Sequence, residues 1–312
     1  MDGGPVEAVR HVDLDVPRGE LVALLGESGS GKSVTARAVM GLTAPGATVR
    51  ADEITVAGTD LRTATPRQLR ELRGTRMSLV LQDALSALNP VLTIGDQLGE
   101  LLRVHAGASK KAARATAADL LGTVGIPAPA QRLGDYPHQF SGGMRQRILI
   151  AMAIALEPSL LIADEPTTAL DVTVQAQILD LLGELRTRLD MGVLLITHDL
   201  AVVSEVADRV AVMYAGRVVE AGEADTVLAR PSHPYTEALL RSVPRLEHRG
   251  ADLFTIPGSP PNPARVPSGC PFHPRCHRAV ETCSTVRPDL VPFAGRVVAC
   301  HRSEVTLDER VG

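Results

Sequence analysis

The eight residues GESGSGKS, Gly26–Ser33, restrict the fold of this chain more than any other stretch. They match the pattern G-x-x-x-x-G-K-[ST], follow the apolar run LVALLG and precede a segment that predicts a helix. Glycines allow the backbone to curl until its N–H groups face one point, and a helix N-terminus adds partial positive charge there. The stretch therefore predicts a phosphate-binding loop between a buried strand and a helix of an α/β fold.

Each residue of this loop has a predicted role. Lys32 would contact the β- and γ-phosphates of a nucleotide, and the Ser33 hydroxyl would hold Mg²⁺. The residues predicted to line the nucleotide phosphates are Gly26, Glu27, Ser28, Gly29, Ser30, Gly31, Lys32, Ser33 and Val34.

Strand and helix patterns alternate around the loop. HVDLDV would place Val12, Leu14 and Val16 on one face of a strand, and the apolar runs LVALLG, RMSLVLQ, LLIAD and VLLIT predict buried strands. The stretch from about 83 to 157 is rich in alanine and leucine and predicts a helical insertion. DRVAVMYAGRVVEAG predicts a hairpin, and the proline-rich stretch from 231 to 292 predicts an irregular appendage.

Two carboxylates end the apolar stretch LLIADEP, Leu160–Pro166. A buried strand would deliver Asp164 to its C-terminal edge, where ligands bind in open α/β sheets. Asp164 suits an Mg²⁺ partner acting through water, and Glu165 suits a general base that polarises an attacking water.

A second anion-binding feature precedes the helical pattern RQRILIAMAIAL. In FSGGM, Ser141 is the predicted N-cap, and Gly142 and Gly143 would leave the first amides of the helix open to an anion.

The order of these motifs resembles that of the ATP-binding-cassette ATPases over about residues 6 to 230. The motifs are the phosphate loop, Gln82, FSGGM, LLIADEP, TTALD and a histidine, His198, after VLLIT. HPYTEALL and the cysteine-bearing tail resemble the ATPase subunits of bacterial dipeptide, oligopeptide and nickel importers.

The resemblance implies an α/β P-loop NTPase core. This core would have a RecA-like sheet with an antiparallel β subdomain, an inserted α-helical subdomain at about 83–157, and an irregular Cys-rich C-terminal extension. The expected domains are a nucleotide-binding domain at 1–230 and the extension at 231–312.

The resemblance also implies roles for residues in ATP hydrolysis with Mg²⁺. Gln82 would sense Mg²⁺ and the attacking water, and His198 would contact the γ-phosphate and hold Glu165. Ser141 and Gly143 would contact the γ-phosphate of a nucleotide held by the opposite subunit, and Asp171 would cross the interface between two ATPase subunits.

The expected assembly is an importer for peptides, with this chain bound peripherally at the cytoplasmic face of the cell membrane. The implied partners are two transmembrane permease subunits, a second ATPase subunit that is a paralogue or a second copy, and an extracytoplasmic substrate-binding protein. The longest apolar run, nine residues at 148–156, is shorter than the ~20 residues of a membrane span.

Three alternatives share some of these features. A nickel importer ATPase has the same motifs. A soluble cassette ATPase that acts on DNA or ribosomes would use the cysteine tail as a zinc module, although the net charge of −4 gives no general attraction to nucleic acid. A catalytically inactive regulatory subunit would not require Glu165 and His198.

Two positions depart from the family pattern. The aromatic residue that stacks on adenine should fall near positions 3 to 6, where none is present. A natural start upstream of Met1 is the favoured explanation, with aliphatic contacts such as Val6 as the alternative. Ala84 stands where the importers commonly have a proline.

The four cysteines, Cys270, Cys276, Cys283 and Cys300, have the spacing C-x5-C-x6-C-x16-C. Thiols clustered in a cytosolic chain favour metal binding over disulfides. The subfamily tail that they resemble can carry a [4Fe–4S] cluster, which is the expected ligand. A Zn²⁺ site and unmetallated thiols are the alternatives.

Overall fold

A computed structural model describes residues 6–82, 87–168, 170–243 and 254–303 of the chain. The chain divides into two compact units. The first unit comprises Met1–Asp15, Leu21–Thr35 and Ile196–Gly312, and the second comprises Val16–Glu20 and Ala36–Leu195.

The regular elements of the described residues carry one set of labels along the chain. The strands are β1 (Leu21–Leu25), β2 (Thr55–Val56), β3 (Thr59–Asp60), β4 (Met77–Val80), β5 (Leu160–Asp164), β6 (Gly192–Thr197), β7 (Arg209–Tyr214), β8 (Arg217–Glu223), β9 (Val291–Phe293) and β10 (Arg296–Val298). The helices are α1 (Lys32–Val39), α2 (Pro66–Leu72), α3 (Ile94–Ala106), α4 (Lys110–Thr123), α5 (Pro129–Arg132), α6 (Gly142–Ile154), α7 (Val172–Leu189), α8 (Leu200–Val206), α9 (Ala224–Ala229), α10 (Pro234–Ser242) and α11 (Glu281–Thr285).

The sheet of the first unit combines parallel and antiparallel pairs. β1 pairs in parallel with β7, in the register Val22 to Arg209 through Leu25 to Val212. β7 and β8 form the predicted hairpin, which turns at Ala215 and Gly216. β10 pairs with β8, and β9 with β10, both antiparallel. The C-terminal segment therefore extends the same sheet that bears β1.

A hydrophobic core joins the C-terminal segment to this sheet. It contains buried side chains from β1, β7, β8, α8 and α10, together with Phe272. Three rings pack at its centre: the Tyr214 ring centroid lies 4.5 Å from that of Tyr235 and 5.3 Å from that of Phe272. Because aromatic rings bury large apolar areas, this cluster anchors the loops that follow α10.

The second unit contains β2 to β5, most of β6 and the helices from α2 to α7. β4 pairs in parallel with β5, from Met77 opposite Leu160 to Val80 opposite Ala163, and β6 follows β5 in the sheet. The apolar sides of α3, α4 and α6 are buried, which agrees with the helical pattern predicted for the described residues from 87 to 157. A capping box formed by Thr65 and Gln68 begins α2.

The strand predicted at HVDLDV is wrong. Val12, Leu14 and Val16 are half-buried and Asp13 and Asp15 are exposed, so the predicted alternation is present, but the segment is not a strand. Alternation places side chains on two faces, whereas a strand also requires a ladder of backbone hydrogen bonds to a neighbour.

The sequence also gave no indication of α10, α11 and the β9–β10 hairpin, since the proline content of 231–292 favoured irregular structure. Ala84 lies outside the described residues, as do positions 3 to 5 of the expected adenine contact. Val6 is 52% exposed. None of the helices described is long and apolar enough to traverse a membrane.

Candidate functional site

The phosphate-binding loop connects β1 to α1 as predicted, and two of its glycines cannot be replaced without strain. Gly26 has φ +155°, and a Cβ there would lie 2.2 Å from the Met213 carbonyl oxygen. Gly31 has φ +107°, and its Cβ would lie 2.8 Å from the Ala8 carbonyl oxygen. Since these approaches are shorter than van der Waals contact, only glycine fits at either position.

Polar groups of this loop suit a phosphate ligand. The Lys32 ammonium donates to the carbonyl oxygens of Gly26 at 2.7 Å and Glu27 at 3.0 Å, which holds its charge against the loop. The Ser30 hydroxyl is buried and has no hydrogen-bond partner among the described residues. A buried hydroxyl with unused hydrogen-bonding capacity favours a polar ligand at this loop.

The first unit also supplies two residues at this loop that the sequence analysis missed. The Tyr235 hydroxyl accepts a hydrogen bond from the Glu27 backbone N–H at 2.9 Å, and the Arg275 guanidinium pairs with the Glu27 carboxylate. The motif HPYTEALL was recognised only as a feature of the subfamily. Tyr235 in this motif was the signal that could have indicated the contact, because a buried tyrosine hydroxyl requires a polar partner.

The acidic end of β5 lies in the second unit. Asp164 is buried at 4% exposure. The Gln82 amide donates to Glu165 Oε2 at 3.0 Å, and the Thr168 hydroxyl donates to the same oxygen at 2.9 Å. Glu165 has φ +48°, a conformation that non-glycine residues seldom adopt. Gln82 and Glu165, 83 positions apart in sequence, are thus joined by a hydrogen bond that the sequence analysis did not predict.

The second unit also holds two N-caps among the predicted site residues. The Ser141 hydroxyl accepts from the Met144 N–H at 3.3 Å and begins α6, and the Asp171 carboxylate accepts from the Val174 N–H at 3.0 Å and begins α7. Gly142 and Gly143 are the first two residues of α6. The N-terminal end of a 13-residue helix is therefore built from SGG.

His198 follows β6 directly and is exposed, in the first unit. The Thr197 hydroxyl oxygen accepts from the Asp199 N–H at 3.0 Å, and the Asp199 carboxylate caps α8. The histidine is thus placed by a strand end and a capped helix on either side of it.

The four cysteines line one small cavity of about 20 Å³ in the first unit, together with Phe272 and three histidines, His233, His273 and His301. The Cys270 N–H donates to the Cys283 carbonyl oxygen at 2.8 Å, which brings two of the four chain segments together. Burial raises the pKa of Cys270 to about 11 and that of Cys300 to about 12, so both are neutral thiols at pH 7.

The four thiols of this cavity are the donor type that zinc ions and iron–sulfur clusters take. In the part of the chain that the structure describes, no three His, Cys, Asp or Glu side chains converge closely enough to hold a metal ion. A single Zn²⁺ needs its sulfur ligands at about 2.3 Å from one point. An iron–sulfur cluster distributes four cysteine ligands over several iron atoms.

Comparisons with known proteins agree with this arrangement. Residues 9–168 match the family model described as ABC transporter, and residues 219–283 match the model described as oligopeptide/dipeptide transporter, C-terminal region. The second match includes the helix that carries Tyr235 and the segment that carries Arg275.

Two relatives have high identity over nearly the whole chain. A dipeptide transport ATP-binding protein, DppD of Bacillus subtilis, is 54% identical over 92% of this chain and 86% of its own length. An oligopeptide transport ATP-binding protein, OppD of Salmonella typhimurium, is 47% identical over 96% of this chain and 89% of its own length.

A solved ATP-binding cassette, dimeric and bound to ADP and Pi after hydrolysis, matches the fold with a TM-score of 0.63 at 28% identity. It covers 72% of this chain and 94% of its own. Together with the phosphate loop and the match of both family models, this likeness shows that the chain belongs to the ATP-binding subunits of the ABC transporter family, in the branch with the oligopeptide/dipeptide C-terminal region.

Proposed function

We propose that this chain is the ATP-hydrolysing subunit of an importer for dipeptides or oligopeptides. The phosphate-binding loop, with its two irreplaceable glycines and Lys32, carries the ATPase assignment. The C-terminal match and the dipeptide and oligopeptide transport relatives support the substrate class.

The phosphate loop binds the triphosphate of ATP in this proposal. Its N–H groups and Lys32 neutralise the phosphate oxygens, and the Ser30 hydroxyl, which has no partner among the described residues, accepts or donates one more hydrogen bond. Ser33, Gln82 and, through water, Asp164 would hold Mg²⁺, because these oxygen donors are the type that Mg²⁺ prefers. The bound ion would supply charge neutralisation at the phosphates.

Glu165 is the proposed general base. Hydrogen bonds from Gln82 and Thr168 reach one carboxylate oxygen, Oε2, and orient the group. The other oxygen would take the proton of the attacking water. His198 orients the γ-phosphate and the base.

A second ATPase subunit completes each site. Ser141, Gly142 and Gly143 contact the nucleotide of the opposite subunit through the N-terminus of α6, and Asp171 lies at the interface between the subunits. ATP binding therefore closes the pair, and hydrolysis reopens it. Two permease subunits convert this cycle into alternate exposure of peptide, which an extracytoplasmic binding protein delivers. The chain acts from the cytoplasmic face of the membrane as a peripheral subunit.

A reconstituted importer tests this function. The full chain, its permeases and the second ATPase are placed in lipid vesicles with the binding protein, and peptide uptake and ATP hydrolysis are measured together. We expect peptide to stimulate hydrolysis, and Lys32→Ala to abolish both. Glu184→Gln, an exposed change on α7, is the control that retains both. Uptake of nickel in place of peptide, or stimulation by DNA or ribosomes, would replace the proposal by the corresponding alternative.

We also propose that the nucleotide-binding domain spans 1–230, with a helical subdomain at about 83–157, and that the extension at 231–312 binds a [4Fe–4S] cluster through Cys270, Cys276, Cys283 and Cys300. The shared cavity supports this ligand set. The cluster would supply structural cross-linking or redox sensing to the extension, and the ATPase chemistry does not require it.

Anaerobic purification of the full chain tests the cluster. We expect a brown protein with about four irons per chain and absorbance near 400 nm, and loss of both in Cys276→Ser. Ser284→Ala, next to a cysteine but not a predicted ligand, is the matched control that keeps its iron. A colourless chain with one zinc would support the zinc alternative. A metal-free protein would show that the four cysteines are unmetallated thiols.

A further inference from the structure

Glu27 places a negative charge within the loop that is proposed to bind the most negatively charged part of ATP. Its side chain is 24% exposed, so solvent screens the charge only in part. A carboxylate beside a triphosphate weakens binding unless a cation compensates it. The loop therefore requires a partner for Glu27 that is separate from Lys32, because the Lys32 ammonium is needed at the phosphates.

Arg275 is such a partner. Its Nη1 donates to Glu27 Oε2 at 2.7 Å and its Nη2 donates to Oε1 at 3.0 Å. This is the bidentate geometry, with two parallel N–H···O hydrogen bonds, in which a guanidinium matches a carboxylate best. The Arg275 side chain is 5% exposed, so the pair is much less accessible to water than a surface ion pair.

The guanidinium is fixed in one orientation by its other contacts. Nε donates to the Pro257 carbonyl oxygen at 2.8 Å, and Nη1 also lies 3.3 Å from the Tyr214 hydroxyl. Burial by itself would lower the pKa of Arg275, but the hydrogen bonds with Glu27 and Tyr214 raise it above its ordinary value, so the charge is permanent. The Glu27 carboxylate is therefore met by a rigid, always-charged partner.

The C-terminal region holds the backbone of Glu27 as well. The Glu27 N–H donates to the Tyr235 hydroxyl, and the Glu27 carbonyl oxygen accepts from Lys32. The two C-terminal residues reach the loop through different elements, since Tyr235 lies on α10 and Arg275 ends the 3-10 turn His273–Arg275. Glu27 thus contacts Lys32 within the loop and both Tyr235 and Arg275 in the C-terminal region.

We propose that Arg275 is a positioning residue for ATP binding, which neutralises Glu27 and orients the phosphate-binding loop from the C-terminal region. The proposal rests on the assignment of this loop as the ATP site. It implies that the region beyond residue 230 contributes to nucleotide affinity in the isolated chain, before any second subunit is bound.

Removal of Arg275 should leave an uncompensated carboxylate at the loop. For Arg275→Ala in the full chain we expect the Kd for ATP, measured by calorimetry, and the KM in the reconstituted importer to rise about tenfold, the typical cost of a charged hydrogen-bonded pair. The kcat should change less than twofold, because the group does not touch the reacting atoms. The rise should shrink at high salt, since ions screen the exposed part of Glu27.

The second change, Glu27→Gln, distinguishes charge compensation from simple loss of packing. In Arg275→Ala/Glu27→Gln the uncompensated charge is gone, and ATP affinity should return to within about twofold of the unaltered chain. Arg278→Ala is the matched control, since Arg278 lies in the same C-terminal region and forms a similarly buried pair with Glu237, at 2.6 Å, instead of with Glu27. It should lower the melting temperature and leave the Kd for ATP unchanged.

An unchanged Kd in folded Arg275→Ala, or a raised Kd that Glu27→Gln does not relieve, would overturn the proposal. If Arg275→Ala does not fold, Arg275→Lys is measured in its place, because lysine keeps the positive charge but cannot form the bidentate pair. An approximately threefold rise in KM that Glu27→Gln relieves supports the proposal, and an unchanged KM overturns it. Lys32→Ala in the same assay separates the two assignments: if it still binds ATP normally, the ATP site itself is wrong.

Discussion

The phosphate-binding loop and the cysteine segment of the first unit are both rich in residues that interrupt regular structure, yet their sequences specify them to different degrees. Eight consecutive residues, with a strand before and a helix after, determine the loop. The cysteines are spread over 31 residues, on loops and a five-residue helix, and meet only where the chain closes on itself.

This difference shows where local chemistry is sufficient. In the loop, Gly26 and Gly31 adopt conformations that are specified by the absence of a side chain, and neighbouring residues supply the donors. In the cysteine segment, spacing alone leaves a cluster, a zinc ion and free thiols open. The same contrast separates the catalytic motifs of the second unit from the C-terminal region of the first. Substitutions in either region can test it.

The largest effect is expected at the acidic motif. Glu165→Gln keeps the shape of the side chain and removes the base, so ATP hydrolysis in the reconstituted importer should fall about 10²–10⁴-fold. ATP binding should remain, and the ATP-bound pair of subunits should persist as a closed dimer in size-exclusion chromatography. Near-normal hydrolysis would remove Glu165 from the catalytic role.

A smaller effect is expected at the glycines of α6, where packing and anion binding can be separated. A Cβ on Gly143 would lie 2.5 Å from Val174 Cγ1, whereas one on Gly142 would meet Leu170 Cδ2 at 3.6 Å, an ordinary contact. Gly143→Ala should therefore lower the free energy of unfolding by about 1–3 kcal/mol. Gly142→Ala is the matched control and should be nearly neutral in stability. Equal denaturant midpoints for the two variants would contradict the packing argument.

The C-terminal region should respond to pH through a buried histidine, His233, which is the first residue of HPYTEALL. Burial lowers the pKa of His233 from 6.5 to about 3. The folded chain keeps this ring neutral, whereas the unfolded chain binds a proton below about pH 6.5. The contribution of His233 to the free energy of unfolding is therefore fully present above pH 6.5 and is lost as the pH falls towards 3. The loss at pH 5 should be roughly 2 kcal/mol.

His233→Asn provides the control for this pH dependence. Asparagine does not titrate, so the loss of stability between pH 7 and pH 5 should be smaller by that amount, measured by denaturant unfolding at each pH. An identical pH dependence in both proteins would assign the acid sensitivity to other groups.

The smallest effect is expected where the two regions touch. Tyr235→Phe removes the hydroxyl that accepts from the Glu27 N–H and leaves that donor without this partner. The cost should be about 1 kcal/mol, or about fivefold in ATP affinity. Tyr136→Phe, a change at an exposed ring, is the control and should bind ATP normally. An unchanged affinity in Tyr235→Phe would show that the loop holds its conformation without the C-terminal helix.

Several parts of the fold were predictable from short patterns. Buried strands were found at β1, β4, β5 and β6, because continuous apolar runs between turns are typical of parallel strands. The hairpin at Ala215 and Gly216 followed from its turn residues. The strand expected at residues 11–16 was wrong, because periodicity cannot show whether a ladder partner is available.

The catalytic motifs were predicted residue by residue, although their roles remain predictions. The structure places Gln82 against Glu165 and makes Ser141 and Asp171 helix caps. The residues that hold the phosphate loop from outside, Tyr235 and Arg275, were missed. Each lies more than 200 positions from Glu27, and such a contact leaves no periodic or spacing signal in a single sequence.

The sequence by itself thus determined the α/β class, the phosphate loop and the acidic strand end, because glycine conformations, apolar runs and capping residues act over a few positions. The tertiary structure decided that the C-terminal segment adds β9 and β10 to the sheet, that four distant cysteines share one cavity, and that Arg275 meets Glu27. These features depend on the closure of long loops around a buried aromatic core, whose geometry results from the packing of the whole unit and not from any one stretch of sequence.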